Sequence, residues 1–313
     1  MSGTTETPPT LGRRLSAFFY RHPRAKLLLL LAPAVLWLGV VYLGSLGGGL
    51  LRQSLWSLEE FTGLIDRTPT LATFRLLFED PTNRDIIVRT VVLATGVTVL
   101  CAILAFPLAY YMARFASPRM KTYLYLAVLM PLWSSYLVRA LSWRQILAEE
   151  GVLLWGLRKL HLDGIVEVIL GAPLVGGSSL ISSKFSLLVV FTYLWLPFMI
   201  LPLETSLERV PASFVEASSD LGAKPFRTFR RIILPLAKPG LVAGSIFTFS
   251  LTLGDFILPN MFGTSAFILG QQVYVQQGVV GNDPLAAAFT FVAMVVMVVY
   301  LLVARRAGAF EAL

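Results

Sequence analysis

One acidic residue lies inside a long apolar stretch and is the first candidate for chemistry in this sequence. Asp255 falls past the middle of residues 240–262, a run that is otherwise free of formal charge. An acid in hydrocarbon is costly unless it faces water or a partner, so it marks a functional site by default. A carboxylate here can attract an amine or another cation that enters from outside. The alternative is structural, with Asp255 joining helices by hydrogen bonds or capping a helix broken near Gly254 and Pro259.

Aromatic residues accompany this acid. Tyr193 and Trp195 lie in the apolar run 186–207, and Phe256 directly follows Asp255. An aromatic face attracts an alkylammonium group by about 0.5–2 kcal/mol, depending on desolvation. We therefore expect Asp255, Tyr193, Trp195 and Phe256 to line a path for a cationic solute. Helix packing is the alternative for Trp195, while Trp143 is expected in an aromatic belt at the membrane interface.

Enzymatic constellations are missing from the sequence. It contains no G-x-x-x-x-G-K-[ST] phosphate loop, no H-E-x-x-H, no C-x-x-C and no G-x-S-x-G. Cys101 is its single cysteine, and its two histidines, His22 and His161, are expected on opposite sides of a membrane. We therefore predict no catalytic residues, no metal site and no cofactor. The chain is expected to be a conduit or scaffold whose energy source lies elsewhere.

Composition places these residues in a membrane protein. The chain has 313 residues, of which 56% are hydrophobic and only 14% charged, whereas soluble domains carry about 25% charged residues. A helix needs about 20 mainly apolar residues to cross a bilayer, and six stretches meet that length. A seventh apolar piece, 164–175, is too short and is expected at the interface or as a re-entrant segment. The predicted spans are 27–46, 88–112, 123–143, 186–207, 240–262 and 285–304.

Charge distribution predicts the orientation of these spans. If the N-terminus is cytoplasmic, the inner segments carry 16 basic and 6 acidic residues, whereas the outer segments carry 10 basic and 11 acidic residues. Basic residues concentrate on the cytoplasmic side of membrane proteins, so both termini are predicted to be cytoplasmic. The same division leaves no continuous basic patch for nucleic acid. Residues 1–26 are expected to form a cytoplasmic tail before a first span that is retained as an anchor.

The predicted cytoplasmic loop 208–239 is charged and amphipathic, unlike its flanks. Pro211 is expected to begin a short helix, Gly222 to break it, and Pro225 to begin a second helix that ends before Pro235. Such a helix–turn–helix at the membrane face can dock on a partner. The alternative is a surface helix that rests on lipid headgroups.

The spacing within this loop resembles a known signature. Glu216-Ala217-Ser218, three residues, Gly222, nine residues and then Ile232-Ile233-Leu234-Pro235 resemble E-A-A-x(3)-G-x(9)-I-x-L-P of ABC-importer permeases, with Ser218 in place of the second alanine. In that family this segment is the coupling helix, which sits in a groove of a cytoplasmic ATPase. The resemblance assigns coupling to the loop, and Gly222 would permit its turn. The residues expected to take part are Glu216, Ala217, Asp220, Gly222, Arg227, Arg230 and Pro235.

The similarity covers nearly all of the chain from about residue 26. Residues 138–153 and 247–263 resemble permeases of the spermidine/putrescine branch. The resemblance implies an all-α integral membrane protein of type I ABC-importer permease fold, with one six-helix domain over residues 27–313 in a bacterial cytoplasmic membrane. It also implies a second permease subunit, two ATPase subunits and an extracytoplasmic solute-binding protein as partners, besides membrane lipid.

Alternatives remain for the role of the outer end of the third span and for the identity of the solute. Arg139 and Arg144 are expected either to dock the solute-binding protein or to anchor the helix at the interface. A polyamine is the expected solute. The alternatives are an iron complex, an amino-acid-like compound or an oxyanion, and, from other classes, a secondary transporter or a membrane lipid enzyme.

Overall fold

The computed structural model describes residue 20 and residues 23–59, 62–172, 176–263 and 268–306. Contacts divide the chain into two compact units, residues 1–53 and 54–313. Most of the predicted tail 1–26, including His22, lies outside the described residues. Its assignment as a separate cytoplasmic segment stays a prediction.

The described chain is almost entirely helical. Its elements, in chain order, are α1 (Pro23–Leu38), the π-helical stretch π1 (Gly39–Leu50), α2 (Leu51–Ser54), β1 (Ser57–Leu58), β2 (Ile65–Asp66), α3 (Ala72–Glu79), α4 (Pro81–Arg114), α5 (Pro118–Trp133), α6 (Tyr136–Ile146), α7 (Val152–Lys159), α8 (Asp163–Gly171), α9 (Lys184–Glu208), α10 (Ala212–Asp220), α11 (Pro225–Thr228), π2 (Phe229–Ile233), α12 (Leu234–Gly254), α13 (Ile257–Phe262), α14 (Leu269–Val275), π3 (Gln276–Val280) and α15 (Asp283–Arg306).

Helix length and hydropathy agree with the predicted set of six spans. In the described part of the chain, five continuous helical segments are long and apolar enough to cross a membrane, and the bent pair α5–α6 makes six when its two helices are taken as one span. The continuous segments are Lys26–Ser54, Pro81–Arg114, Lys184–Glu208, Pro225–Gly254 and Asp283–Arg306.

Side-chain caps explain where several of these helices begin. Asp80 accepts a hydrogen bond from the amide of Thr82 at 2.8 Å and precedes Pro81, the first residue of α4. Ser183 caps α9 in the same way through the amide of Ser186 at 3.1 Å. Each cap satisfies one of the backbone donors that a helix start leaves unpaired.

A small antiparallel hairpin precedes α3. Its strands β1 and β2 pair Ser57 with Asp66 and Leu58 with Ile65. Asp66 accepts hydrogen bonds from the hydroxyl and the amide of Thr68 at 2.7 and 2.9 Å. These bonds favour the ionised carboxylate and hold the pKa of Asp66 below its ordinary value.

The core of the second unit forms where α4, α9 and α12 pack together. Alanines and Cys101 on α4 are fully buried, because small side chains let helices approach closely inside a membrane. Gly240 of α12 marks the tightest approach. A Cβ atom at that position would lie 2.4 Å from the carbonyl oxygen of Pro202 on α9. Gly244, one turn further, packs in the same way against Met199.

The third span is not the continuous helix 123–143 that hydropathy predicts. The chain leaves α5 at Trp133 and enters α6 at Tyr136, with an angle of 94° between the two helices. Ser134 and Ser135 have extended ψ values of 148° and 141°. The hydroxyl of Ser134 donates to the carbonyl of Pro131 at 2.8 Å. Serine hydroxyls replace helical hydrogen bonds in this way, which explains the break.

The fifth span also differs from the predicted range 240–262. Helical structure runs without interruption from Pro225 to Gly254 and then breaks at Asp255, whose backbone is extended. The predicted end of a loop helix before Pro235 is therefore wrong. Leu234 donates its amide to the carbonyl of Phe229, five residues back, so the chain passes Pro235 in wider π-helical turns. Proline lacks an amide donor, and the wider turns accommodate its ring.

The stretch 145–160, whose pattern predicts one amphipathic helix, is divided. Helix α6 ends at Ile146, and α7 begins only at Val152, after Gly151. A Cβ atom at Gly151 would lie 2.4 Å from the carbonyl of Gln145, so the turn requires glycine. The apolar piece 164–175 contains α8, which has nine residues. Residues 173–175 of that piece lie outside the described part of the chain.

Candidate functional site

The coupling loop (residues 208–239) contains the predicted helix–glycine–helix. Helix α10 follows Pro211 and ends in a Schellman motif, in which Ala223 donates to Ser218 at 3.0 Å and Gly222 donates to Ser219 at 2.8 Å. Gly222 has a φ of +72°, the left-handed conformation that this motif requires. The glycine therefore sets the direction in which the chain enters α11.

A buried hydrogen bond joins the two short helices. The hydroxyl groups of Ser218 on α10 and Thr228 on α11 lie 2.8 Å apart, and both side chains are buried. Ser218 is the position at which the sequence departs from the family signature, and the second alanine of that signature could not make this bond. The departure thus adds a contact that fixes α10 against α11.

The outward surface of the loop is apolar with a charged rim. Phe214, Leu221 and Phe226 are 51%, 87% and 72% exposed. Large apolar side chains clustered at a surface mark interaction sites. A groove of about 460 Å³ lies among Phe214, Ala217, Ser218, Leu221, Ala223, Arg227, Arg231 and Ile232. The predicted coupling residues Glu216, Asp220, Arg227, Arg230 and Pro235 are also exposed.

The loop is anchored to the helices above it. Phe229 packs edge-on against Phe106 of α4, with ring centroids 5.2 Å apart. Arg114, at the end of α4, donates through Nη2 to the carbonyl of Val210 at 2.5 Å. The residues on either side of α10 and α11 are therefore both held by α4.

A buried carboxylate at the same end of the molecule escaped the sequence analysis. The Glu204 side chain on α9 is fully buried; its Oε1 lies 2.8 Å from Lys121 Nζ, and its Oε2 accepts a hydrogen bond from the Tyr125 hydroxyl at 2.5 Å. Lys121 also contacts Glu208. This cluster joins the start of α5 to the end of α9. Its only sequence signal is an acid close to the end of an apolar run.

Beside the bend of α5–α6, Asp255 occupies the break after α12. Its Oδ1 accepts a hydrogen bond from the amide of Leu258 at 3.0 Å, and its Oδ2 accepts one from the Tyr136 hydroxyl at 2.6 Å. The Tyr136 ring stacks on Trp195, with centroids 5.9 Å apart. The geometry therefore contains the helix cap considered for Asp255, and Tyr136 is a partner that sequence reasoning missed.

The predicted path residues do not form one cluster. Tyr136 brings Asp255 and Trp195 together, whereas Tyr193 lies against Trp143, with ring centroids 5.3 Å apart. Phe256 stacks on Tyr274 of α14, with centroids 5.2 Å apart. Consecutive residues at the break thus face different neighbours. Asp255 and Trp195 remain together as a candidate for solute contact.

The two arginines proposed for docking differ in their surroundings. Arg144 is exposed, whereas Arg139 is half-buried. The Nε and Nη1 atoms of Arg139 are enclosed and have no hydrogen-bond partner among the described residues. Such a group retains unused capacity to donate to an oxygen acceptor.

No arrangement for metal binding is present in the part of the chain that the structure describes, since no three His, Cys, Asp or Glu residues converge there. Cys101 is buried on α4, where its thiol lies 3.6 Å from the carbonyl of Thr192.

Known proteins resemble this chain in both sequence and fold. The family model described as "Binding-protein-dependent transport system inner membrane component" matches residues 105–311. The inner membrane ABC transporter permease protein YdcU of Escherichia coli (strain K12) is 49% identical over 305 residues, covering 97% of this chain and 96% of that protein. The spermidine/putrescine transport system permease protein PotB of Haemophilus influenzae is 27% identical over 240 residues, 76% of this chain and 79% of that protein.

A solved structure shares the fold. A chain of a bacterial alginate ABC transporter, in complex with an alginate pentasaccharide-bound periplasmic protein, superposes with a TM-score of 0.66 at 19% identity, covering 93% of this chain and 96% of that one. The family match extends over most of this chain, and the apolar helices and the fold agree with it. The chain therefore belongs to the family of binding-protein-dependent transport system inner membrane components, the permease subunits of ABC importers.

Proposed function

We propose that this inner-membrane permease subunit carries a polyamine such as spermidine or putrescine. The observation that carries the proposal is the Asp255 carboxyl group at the break between α12 and α13, beside the aromatic pair Tyr136 and Trp195. An acid and aromatic faces together suit a cationic amine. The relationship to the PotB protein of a spermidine/putrescine system supports the same class of solute.

The proposal has a simple electrostatic basis. Each carboxylate oxygen of Asp255 accepts one hydrogen bond within the chain, and a carboxylate oxygen can accept more than one. An ammonium group that approaches the break can therefore bind without displacing Tyr136 or the amide of Leu258. The Trp195 ring is buried behind Tyr136 and supports the Tyr136 ring by stacking.

The partners belong to the same proposal. We infer a second permease subunit, two cytoplasmic ATPase subunits that receive the coupling loop, and an extracytoplasmic solute-binding protein. The exposed apolar side chains of Phe214, Leu221 and Phe226 support docking of the loop on a protein. The fold neighbour is bound to a periplasmic protein, which supports the binding-protein partner.

Asp255→Asn tests the solute class, because it removes the charge while its single amide oxygen can still accept the hydrogen bond from Tyr136, at the loss of the acceptor for the amide of Leu258. Uptake of radiolabelled putrescine by the complete importer in proteoliposomes should show a KM raised about tenfold or more, the equivalent of one charged hydrogen bond. Asp85→Asn, on the exposed surface of α4, serves as the matched control and should leave KM unchanged. A wild-type KM in Asp255→Asn would refute the cation site.

A second candidate is another small solute that carries oxygen acceptors, such as an iron complex, an amino-acid-like compound or an oxyanion. The enclosed Nε and Nη1 atoms of Arg139 favour it, because they are donors without a partner among the described residues. Direct uptake of radiolabelled putrescine and of 4-aminobutanoate, which replaces one amine with a carboxylate, separates the two candidates. Uptake of 4-aminobutanoate without uptake of putrescine, abolished by Arg139→Gln, would favour the second candidate.

A further inference from the structure

The first helix of the third span, α5, packs weakly on the rest of the molecule. All sixteen residues of α5 are described, and Val128 is the buried one. Tyr123, Met130 and Trp133 are 67%, 63% and 79% exposed. Without the hydrophobic effect between helices in lipid, position depends on side-chain packing and hydrogen bonds. Polar contacts therefore have a large share in placing α5 against the core, whereas α6 also packs through Ala140 and through the rings of Tyr136 and Trp143.

Such contacts occur near the inner end of the span, at the start of α5, and directly after its bend, at the start of α6. The inner clamp is the cluster of Lys121 and Tyr125 with Glu204 on α9, in which the ion pair measures 2.8 Å and the hydrogen bond 2.5 Å. The outer clamp is the hydrogen bond from Tyr136 on α6 to Asp255, at 2.6 Å. Between the clamps lies the bend at Ser134 and Ser135, which interrupts the helical hydrogen bonds.

The outer clamp lies next to the end of a long continuous helical segment, opposite the coupling loop. Helical structure is unbroken from Pro225, in the coupling loop, to Gly254, next to Asp255. At about 1.5 Å per residue this segment is about 45 Å long. A tilt of about 10° about the loop end would move the other end by roughly 8 Å, far more than a hydrogen bond can stretch. When the loop moves, the clamp must either break or carry α6 with it.

We propose that the two clamps make the broken span α5–α6 move as one body with α9 and α12, and that Lys121 and Tyr136 are positioning residues for transport. Breaking either clamp leaves a polar group unpaired in an apolar environment, which favours keeping both closed. Movement of the coupling loop then reaches α6, which carries Arg139 and Arg144. The inference goes beyond the solute and holds for any solute class.

Distance measurements in the complete importer test it without a solute. Spin labels at Leu141 on α6 and Lys238 on α12, both exposed, report whether the two helices move together. The native Cys101 is buried and does not compete for the label. The wild type should give one unchanged distance distribution in the nucleotide-free state and in the ATP–vanadate state. A distance that changes between these states in the wild type would overturn the proposal.

Two variants distinguish the hydrogen bond of the outer clamp from the negative charge of Asp255. Tyr136→Phe removes the hydrogen bond and retains the ring on Trp195, so a second distance population should appear. Asp255→Asn has one amide oxygen that can accept from Tyr136, although the amide of Leu258 loses its acceptor, and should keep the wild-type distribution even if putrescine uptake is lost. An unchanged distribution in Tyr136→Phe would refute the clamp. Loss of uptake in Asp255→Asn bears on the polyamine proposal alone, so the two can fail separately.

Discussion

The turn at Gly222 offers a quantitative test of coupling. Its φ of +72° lies in the left-handed region, and two hydrogen bonds of the Schellman motif depend on it. No atom lies within 4 Å of the position that a Cβ would take. A substitution is therefore penalised by the backbone conformation and not by collision with a neighbour.

The size of the expected effect therefore follows from the backbone penalty alone. A residue with a Cβ pays about 1–2 kcal/mol in the left-handed region, and a β-branched residue is a genuine outlier there. Gly222→Val should consequently lower the population of correctly turned loops by roughly 5–30-fold. Asparagine visits this conformation readily, so Gly222→Asn is the matched control.

The assay is ATP hydrolysis stimulated by the loaded solute-binding protein in proteoliposomes that contain the complete importer. Gly222→Val should lose most of the stimulation while the chain still inserts in the membrane, and Gly222→Asn should stay close to the wild type. Full stimulation in Gly222→Val would refute the reasoning. Equal loss in both variants would also contradict it, because the side chain and not the backbone conformation would then be responsible.

Three further predictions concern stability. Lys121→Met leaves the buried Glu204 carboxylate without its cation and should lower the free energy of unfolding by about 3–5 kcal/mol, measured by thermal unfolding in detergent. Gly240→Val should cost about 1–3 kcal/mol by overpacking α12 against α9, while Gly156→Ala, which meets no neighbouring atom, should not. Because the pKa of Asp66 is lowered in the folded protein, its ionised carboxylate stabilises the hairpin at pH values above about 3.9, the ordinary pKa of aspartate. This stabilisation should disappear as the pH falls through the lowered pKa of Asp66. The amide of Thr68, which donates to Asp66, should then lose protection from hydrogen exchange.

The spans could be predicted from the sequence because hydropathy and length are properties of contiguous residues. The range of the fourth span, 186–207, lies within α9 (Lys184–Glu208), and the cap by Ser183 accounts for its start. The helix–glycine–helix of the coupling loop could be predicted for the same reason. Pro211, Gly222 and Pro225 act within one turn of their own positions.

The clamps could not be predicted, because each joins residues far apart in the chain. Tyr136 and Asp255 are separated by 119 residues, and Lys121 and Glu204 by 83. Hydropathy assigned 123–143 to one helix because it does not register two consecutive serines that turn the chain by 94°. Pro235 does not end the helix, contrary to the prediction, because the π-helical turns before it accommodate its ring.

The role of Asp255 illustrates the same limit. Its presence in an apolar run singled it out, but the sequence could not tell a solute contact from a helix cap. The structure supplies the cap and adds the bond to Tyr136. A solute contact by the same carboxyl group is compatible with both bonds and is decided by transport measurements.

We propose that the coupling loop of this permease docks on a cytoplasmic ATPase. Co-purification tests it most directly, with the affinity-tagged wild type compared with a variant in which residues 213–232 are replaced by a flexible linker of equal length. The wild type should retain the ATPase subunits, and the variant should insert in the membrane and lose them. Stoichiometric retention of the ATPase by the variant would contradict the account.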